Sequence, residues 1–548
     1  MGFGFSLTLF LYRVFLYRVF IYKKGEGEKM LLKDMIEGLT IELICGDINK
    51  DIVDITQDSR KVVEGGLYFA VPGAKVDGAK FIPDVIRSGA AAIVTEKAEK
   101  TLTGILENDI LVNGNFEKGD ENTIAIIEVE NIRYAMGIIS SNFYGRPSDE
   151  ITVIGITGTK GKTTTTYMVK DMLELAGIKT GLIGTIEIDN GKEKIPAINT
   201  TPDSITIQKK FREMVDNDCE AVVMEVSSQG LMLDRVAGIE FDFGIFTNMS
   251  PDHIGPNEHT SYEHYKECKK KLFSLCRTAI YNMDDAEAEY MMDGSTAAPI
   301  TFGKNEDADY IARGHKLYRE NGILGIEYDI DGTLEGHIRV ALPGDFSIYN
   351  SLAAIVVADC MGVSFDEIKR ILEIIKVRGR VEMINISDAF TLMIDYAHNG
   401  MSLESLLKAI REYEPKRLVA LFGCGGNRAK SRRYEMGEAS GKYADFTIIT
   451  SDNPRDEDPQ AIMDDIKVGI DKTGGAYIDI IDRKEAIRFA IMNAKEGDVI
   501  ILAGKGHEDY QEICGQKHHM DERDLIREIL EEEDVREICG YNNRYFTE

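Results

Sequence analysis

The sequence lacks a basic excess. Its 548 residues carry 64 Lys and Arg against 93 Asp and Glu, a net charge of −29. Non-specific nucleic-acid binding needs a basic face, so that class is excluded and no nucleic-acid partner is expected. A nucleotide site is not excluded, because one loop and one lysine can hold phosphates inside an acidic protein. Cysteine is sparse and unpatterned. Cys45, Cys219, Cys268, Cys276, Cys360, Cys424, Cys514 and Cys539 form no C-x-x-C pair. That reads as neither a zinc site nor a disulfide framework. Each is expected as a small core residue in a reducing cytoplasm.

Long apolar runs are also missing. The opening "GFGFSLTLFLYRVFLYRVFIYKK" is aromatic, but Arg13 and Arg18 interrupt it. Its apolar stretch falls short of the roughly 20 residues a spanning helix needs. It has neither the leading charges nor the cleavage site of a signal peptide. Membrane contact through residues 1–22 stays open as a surface-lying segment. The simpler expectation is an extension over 1–29, with initiation at Met30. Beyond the tandem "LYRVF" there is no internal repeat and no low-complexity linker.

What is present is a soluble globular composition, 43% hydrophobic and 29% charged. The chain is too long for one core. Three domains are expected, at 30–146, 147–376 and 377–548. "NFYGRPSDE" (142–150) reads as the linker between the first two. "ITVIGIT", "CEAVVMEV" and "FDFGIFTN" are apolar runs of buried-strand length, and helical patterns separate them. "NSLAAIVVADCMG" (350–362) is expected as a helix of the same domain. In the last domain "LMIDYAH", "RLVALFG", "DFTIIT" and "GDVIILAG" repeat the alternation. The fold class is therefore α/β with parallel sheets covered on both faces.

"GITGTKGKTTTT" (155–166) poses the functional question. The usual phosphate loop reads G-x-x-x-x-G-K-[ST], and here the first glycine is out of place. The context is nonetheless correct, since a strand precedes the loop and a helix follows it. Backbone N–H groups and the helix dipole would gather positive potential at that point. Gly158 and Gly161 permit close approach, Lys162 reaches terminal phosphate oxygens, and the Thr163 hydroxyl suits Mg²⁺. Glu225 and His253 follow the ends of later strands, where ligands of open α/β sheets bind. Together they are candidates for divalent metal.

"GTKGKTTT" resembles the glycine loop of the Mur ligase family, whose spacing departs from the usual pattern. Further resemblances follow in order: "NTTP" (199–202), "MEVSSQGL" (224–231), "TNMSPDHIG" (247–255), "LPGDFSIYNSLAA" (342–354), "GRVE" (379–382) and "DYAHN" (395–399). "GCGGNR" (423–428), "TSDNPRDEDP" (450–459) and "AGKGHEDYQ" (503–511) complete the set. The resemblance runs from about Met30 to the end. It implies a central P-loop-like ATPase domain between an N-terminal UDP-substrate domain and a C-terminal Rossmann-like domain. The implied activity is ATP-dependent amide formation through an acyl phosphate, in peptidoglycan precursor synthesis. Its boxes are most similar to members that add the third residue to UDP-N-acetylmuramoyl-L-alanyl-D-glutamate.

The resemblance also assigns roles. Gly158, Thr159, Lys160, Gly161, Lys162, Thr163 and Thr164 would hold ATP, with Asn350, Arg380, Asp395 and His398. Thr163 and Glu225 would serve one Mg²⁺. His253 and a carbamylated Lys269 would serve a second. The catalytic set would be Lys162, His253 and Lys269. Taken alone, Lys269, Lys270 and Lys271 read as a solvated helix face. Ser59, Arg60, Thr200, Thr201, Ser227 and Arg235 would bind the UDP-muramoyl peptide.

Asp452, Asn453, Pro454 and Arg455 form the "DNPR" box, which in the family accompanies meso-diaminopimelate. Arg455 would pair bidentately with the distal carboxylate that lysine lacks, helped by Arg428. Gly504 and Glu508 would hold the distal ammonium. "DYAHNGMSLE", "DHIGPNEHTSYEHY", "VRGRVE" and "GGNRAKSRRYEMG" depart from the family pattern. A paralogue adding L-lysine or another amino acid, or a catalytically inactive nucleotide-binding regulator, is the alternative expectation. Folylpolyglutamate synthetase shares a similar loop but lacks the "DNPR" and "GKGHE" boxes.

Overall fold

A computed structural model describes residues 29–73, 76–96, 123–255, 258–320 and 322–532. The expectations for residues 1–28, and Cys539, lie outside the described residues. The chain divides into two compact units. One is residues 1–166 with 173–300, and the other is 167–172 with 301–548.

The first unit contains two sheets. The smaller runs in the order Glu42–Cys45, Ala125–Glu128, Ala92–Thr95, Leu67–Phe69, Ile55–Thr56. Its first pair is antiparallel and the others are parallel. Separate apolar clusters around Phe69 and Tyr68 cover its two faces. The helix Ile132–Phe143 closes one face. Asn131 caps that helix, accepting from the N–H groups of Arg133 and Tyr134 at 3.0 Å each.

The larger sheet of this unit places Thr152–Thr157 between Ala221–Glu225 and Phe241–Phe246. Thr180–Ile183 and Cys276–Asn282 extend it on either side in parallel. Glu187–Asp189 and Lys194–Pro196 add an antiparallel edge. Chain order reverses at Thr152–Thr157, so the carboxyl ends of three adjacent strands meet beside one crevice.

The segment 142–150, expected as the linker between the first two domains, carries regular structure of its own. Asn142 and Phe143 end the preceding helix, and Pro147–Asp149 form a 3₁₀ turn in which Pro147 and Ser148 are buried. The Glu150 carboxylate accepts from Arg212 at 2.6 Å. Polar composition concealed a built turn, because the buried partners come from elsewhere in the chain.

The second unit holds a six-strand sheet in the order Glu382–Ile384, Thr391–Asp395, Asp498–Ala503, Arg417–Phe422, Phe446–Ile449, Tyr477–Asp479. All but the first pairing are parallel. Asp498–Ala503 shows why such strands read as continuous apolar runs. Val499, Ile501 and Ala503 fill one face while Ile500 and Leu502 fill the other. Three antiparallel strands, Tyr310–Glu320, Ile323–Gly332 and Gly336–Val340, form a further ladder that the sequence reading had not anticipated. The helix expected at 350–362 is Phe346–Cys360, and it also falls in this unit.

Helices Ser431–Tyr443 and Pro459–Asp471 approach with glycines facing backbone. A Cβ on Gly437 would overlap the Ile466 carbonyl, and one on Gly469 the Tyr434 carbonyl. In a helix interior Gly→Ala ordinarily gains up to about 1 kcal/mol. Here overpacking against backbone, about 1–3 kcal/mol, outweighs it. Gly437→Ala is therefore expected to lower the melting temperature by several degrees, whereas a rise would show that the helices do not approach this closely.

Candidate functional site

Thr157 ends its strand fully buried, and the chain turns at once. Gly158 has φ +148° and Gly161 φ +87°. A Cβ on Gly158 would overlap the Thr247 hydroxyl, so glycine is required there for space as well as for angle. The segment after Phe241–Phe246 clamps this loop. The Thr159 N–H donates to Asn248 O at 2.9 Å and the Lys160 N–H to Asn248 Oδ1 at 2.9 Å. Thr247 Oγ1 and Asn248 Nδ2 donate to Lys160 O at 2.7 and 3.0 Å. Helix Lys162–Leu175 then begins, its dipole directed at the loop.

Two lysines converge on one carbonyl. Lys162 Nζ donates to Gly158 O at 2.9 Å and to Thr159 O at 3.1 Å. Lys269 Nζ donates to Gly158 O at 2.7 Å and lies 4.7 Å from the centre of the Tyr265 ring. Lys269 is 1% exposed, while Lys270 is half-buried and Lys271 exposed. The three adjacent lysines are therefore not equivalent, and the solvated-face reading fails for Lys269. Burial holds its ammonium well below the usual lysine range, and the nearby Lys162 charge adds to the effect.

Glu225 is 1% exposed at the end of the neighbouring strand. Thr163 Oγ1 donates to both of its oxygens at 3.0 Å. Thr185, which the sequence did not single out, donates its N–H at 2.7 Å and its hydroxyl at 3.1 Å to the same carboxylate. Thr185 Oγ1 lies 3.0 Å from Thr200 Oγ1, which links this group to the expected substrate threonines. Thr201 Oγ1 donates to Glu225 O at 2.9 Å and accepts from the Ser227 N–H at 2.9 Å. Arg235 donates to Thr201 O at 2.7 Å.

The other expected residues of this unit stand differently. His253 has φ +53°, an exposed ring, and Nδ1 at 3.2 Å from Glu258 Oε1. Its ring centre is 6.1 Å from that of Tyr265, whose own side chain lies over Lys269. Arg60 is engaged locally instead. Its guanidinium is 86% exposed and holds the Asp58 carboxylate at 2.8–2.9 Å. Hydrogen bonds from Arg60 pull Asp58 down to about 2. Ser59 lies in the same 3₁₀ turn.

In the second unit the motifs gather along the carboxyl edge of the six-strand sheet. Asp395 is buried and accepts from the N–H groups of Val381 and Ala397 at 2.8 Å each. Burial pushes its carboxyl up, against the pull of Arg380 and of these hydrogen bonds. The contact holds Val381 at φ +46°, a costly angle for a β-branched residue. The Arg380 guanidinium lies 5.0 Å from the centre of the Tyr396 ring, and the rings of His398 and His507 each lie 4.7 Å from it. His507 is pulled down to about 4 by burial, with Arg380 adding to the effect. Asn350 is buried within helix Phe346–Cys360.

The "DNPR" and "GKGHE" segments are joined by Lys505, which the sequence reading missed. Lys505 is 0% exposed. Its Nζ donates to Asn453 Oδ1 at 3.1 Å, to Glu508 Oε2 at 2.8 Å and to Tyr510 O. Asn453 Nδ2 also donates to Glu508 Oε2, at 3.0 Å. Gly504 donates its N–H to Asp395 O at 3.0 Å. Pro454 is buried, and Gly426 packs against its carbonyl. Arg455, at φ +53°, donates Nε to Glu512 Oε2 at 2.9 Å and Nη1 to Gly426 O at 2.7 Å. Arg428 is exposed nearby, on the Gly425 side of this loop.

Comparison with known proteins decides the family. The description "Mur ligase family, catalytic domain" matches residues 51–144, "Mur ligase middle domain" 156–358, and "Mur ligase, glutamate ligase domain" 379–506. The chain belongs to the Mur ligase family. It is 41% identical over 505 residues to the UDP-N-acetylmuramoyl-L-alanyl-D-glutamate–2,6-diaminopimelate ligase of Caldanaerobacter subterraneus subsp. tengcongensis, covering 92% of this chain and 99% of that protein. Ligase 1 of the same description from Clostridium acetobutylicum is 41% identical over 507 residues, covering 92% and 100%. A solved structure of a UDP-N-acetylmuramoyl-L-alanyl-D-glutamate–2,6-diaminopimelate ligase superposes with a TM-score of 0.64 at 26% identity, over 92% of this chain and 99% of that one. The architecture is that of the Mur ligases: three mixed α/β domains, with a central ATPase domain between an N-terminal and a Rossmann-like C-terminal domain.

Burial opposes ionisation of Glu508, but the Lys505 charge and the hydrogen bonds from Lys505 and Asn453 hold its carboxyl below the ordinary value of 4.5. A carboxyl lowered in the fold adds stability above that ordinary value, and the contribution is lost as pH falls through the folded value. Lys505→Met leaves the half-buried carboxylate without its cation, at a cost of about 3 kcal/mol, the low end for breaking a buried pair. The melting deficit is expected to be largest near neutrality and to shrink as Glu508 is protonated. A deficit independent of pH would show that Lys505 acts through packing alone.

Proposed function

We propose that this chain adds meso-diaminopimelate to UDP-N-acetylmuramoyl-L-alanyl-D-glutamate in an ATP-dependent reaction of the cytoplasm. The observation that carries the reading is 41% identity, over 92% of this chain, to a protein described as that ligase. The boxes joined through Asn453, Lys505 and Glu508, with Arg455 beside them, support it. The substrate carboxylate attacks the γ-phosphate, forming an acyl phosphate and releasing ADP. The amine of diaminopimelate then attacks the acyl carbon, phosphate leaves, and the nitrogen gives up a proton.

Lys162 would move from the loop carbonyls to the phosphoryl oxygens, where negative charge gathers. Gly158 to Thr164 would cradle the phosphates, with Asn350, Arg380, Asp395 and His398 as further nucleotide contacts. The Thr163 hydroxyl and the buried Glu225 carboxylate offer hard oxygen donors and fit Mg²⁺. Magnesium there would offset charge on the phosphates. His253 and Lys269 would hold a second ion. Burial weakens the hold of Lys269 on its proton and so favours the free amine, which would attack carbon dioxide. The N–C bond would form as one C=O pi bond opens to an oxyanion and the nitrogen releases a proton, giving a carbamate, an oxygen ligand in place of an amine.

Thr200, Thr201, Ser227 and Arg235 would bind the muramoyl peptide, and Ser59 and Arg60 the uridine end. At the other substrate, Arg455 already uses Nε and Nη1. It would receive the distal carboxylate on its Nη1–Nη2 edge, or in exchange for Glu512. Asp452 and Arg428 would border that site, and Glu508 with the backbone at Gly504 would hold the distal ammonium.

Purified protein with Mg·ATP and the UDP-dipeptide is expected to release phosphate and form tripeptide with meso-diaminopimelate and not with L-lysine. Arg455→Ala should raise the KM for diaminopimelate at least ~10-fold while leaving that for ATP unchanged. Product with lysine alone would overturn the assignment of the third residue, and no product with either would overturn the ligase reading. Lys269→Ala is expected to lose most activity and to recover part of it with a small added carboxylate. Full activity in that variant would remove the carbamate from the mechanism.

A further inference from the structure

Among the described residues one cluster remains outside this assignment. His259, His264 and Cys268 place one ligand atom each within 4.8 Å of one another. His264 and Cys268 are four residues apart on helix Tyr262–Lys270 and so share a face. Ser261 caps that helix, accepting from the His264 N–H at 3.1 Å, which fixes the first turn. His259 comes from the preceding segment and is fully buried. Its Nε2 lies 2.8 Å from Ser228 Oγ, while its Nδ1 is buried with no hydrogen-bond partner. An orphaned imidazole nitrogen is costly, and a missing ion is one standard reason for it. The His259 and His264 ring centres are 5.1 Å apart, and Cys268 is 2% exposed.

We propose that His259, His264 and Cys268 form a binding site for a borderline-soft divalent cation of the Zn²⁺ class. Two imidazoles and a thiolate are the donor set such ions prefer, and they disfavour Mg²⁺. The site is therefore separate from the oxygen donors Thr163 and Glu225. Ser228 accepts from Nε2–H and directs the Nδ1 lone pair to the ion, the outer-shell arrangement common to metal-bound histidines. Tetrahedral zinc, with bonds of about 2.0–2.3 Å, spaces its ligands by about 3.5 Å, so the cluster must contract by about 1 Å. Water would complete the four ligands. The three-ligand spacing H-x₄-H-x₃-C contains no C-x-x-C pair, which is why cysteine counting alone passed over it. The bound ion would fasten the segment before the helix to the helix that carries Lys269.

The proposal does not depend on which amino acid the enzyme adds. The full-length protein, stripped with a chelator, is titrated with Co²⁺ and then with Zn²⁺. One equivalent of cobalt is expected to give a thiolate-to-cobalt absorption band that zinc abolishes. Zinc should also raise the melting temperature. Cys268→Ala should lose the band, and His264→Gln should weaken zinc binding at least ~10-fold. Ser228→Ala should weaken it less, and Lys269→Ala should leave the band in place. Circular dichroism of each metal-free variant establishes that it is folded. A wild-type protein without the band, or a band that survives in folded Cys268→Ala, overturns the proposal. If Cys268→Ala does not fold, unchanged zinc affinity in folded His264→Gln overturns it equally.

Discussion

The first unit depends on one backbone carbonyl. Gly158 turns the chain at an angle open to glycine, beside a threonine that leaves no room for a Cβ. Its oxygen then receives both Lys162 and Lys269. Two ammonium groups on one carbonyl repel each other, and the buried one has the weaker hold on its proton. The same turn starts the helix whose second residue, Thr163, reaches Glu225. The glycine loop, the Thr163–Glu225 contact and the buried amine of Lys269 are thus consequences of a single reversal at a strand end.

Much of this was legible from the residues. Apolar runs of strand length located the parallel strands, since strands buried on both faces have no alternation to lose. The glycine loop was legible because strand, loop and helix are contiguous. Lys269 was ambiguous by composition alone, as three lysines in a row differ only in which one the helix turns inward. Burial separates them. Thr185 and Lys505 could not be read at all. Each acts by meeting a carboxylate or amide brought near by the fold, Glu225 for one and Asn453 with Glu508 for the other.

Two other differences have plain causes. The ladder over residues 310–340 is rich in charge and half exposed, so it lacks the apolar density that marked the other strands. Asn321-Gly322, between the first two of its strands in sequence, is the signal that could have found it. Arg60 shows a different effect, that of a local partner. Its residue type suits a phosphate, but Asp58, two positions earlier, occupies it in the structure. A local partner can satisfy a side chain that pattern alone would send to a ligand.

Lys505 carries a consequence for how this protein can change. It ties the "DNPR" turn to the turn at Glu508 through one buried ammonium. Residues that share such a partner do not contribute additively. A substitution in one turn alters the electrostatic background against which any change in the other is felt. On the proposed assignment of these two turns to the incoming amino acid, altered acceptance of that substrate has few single-step routes from this sequence. It calls for paired changes, in which the order of substitution decides whether the intermediate protein still folds.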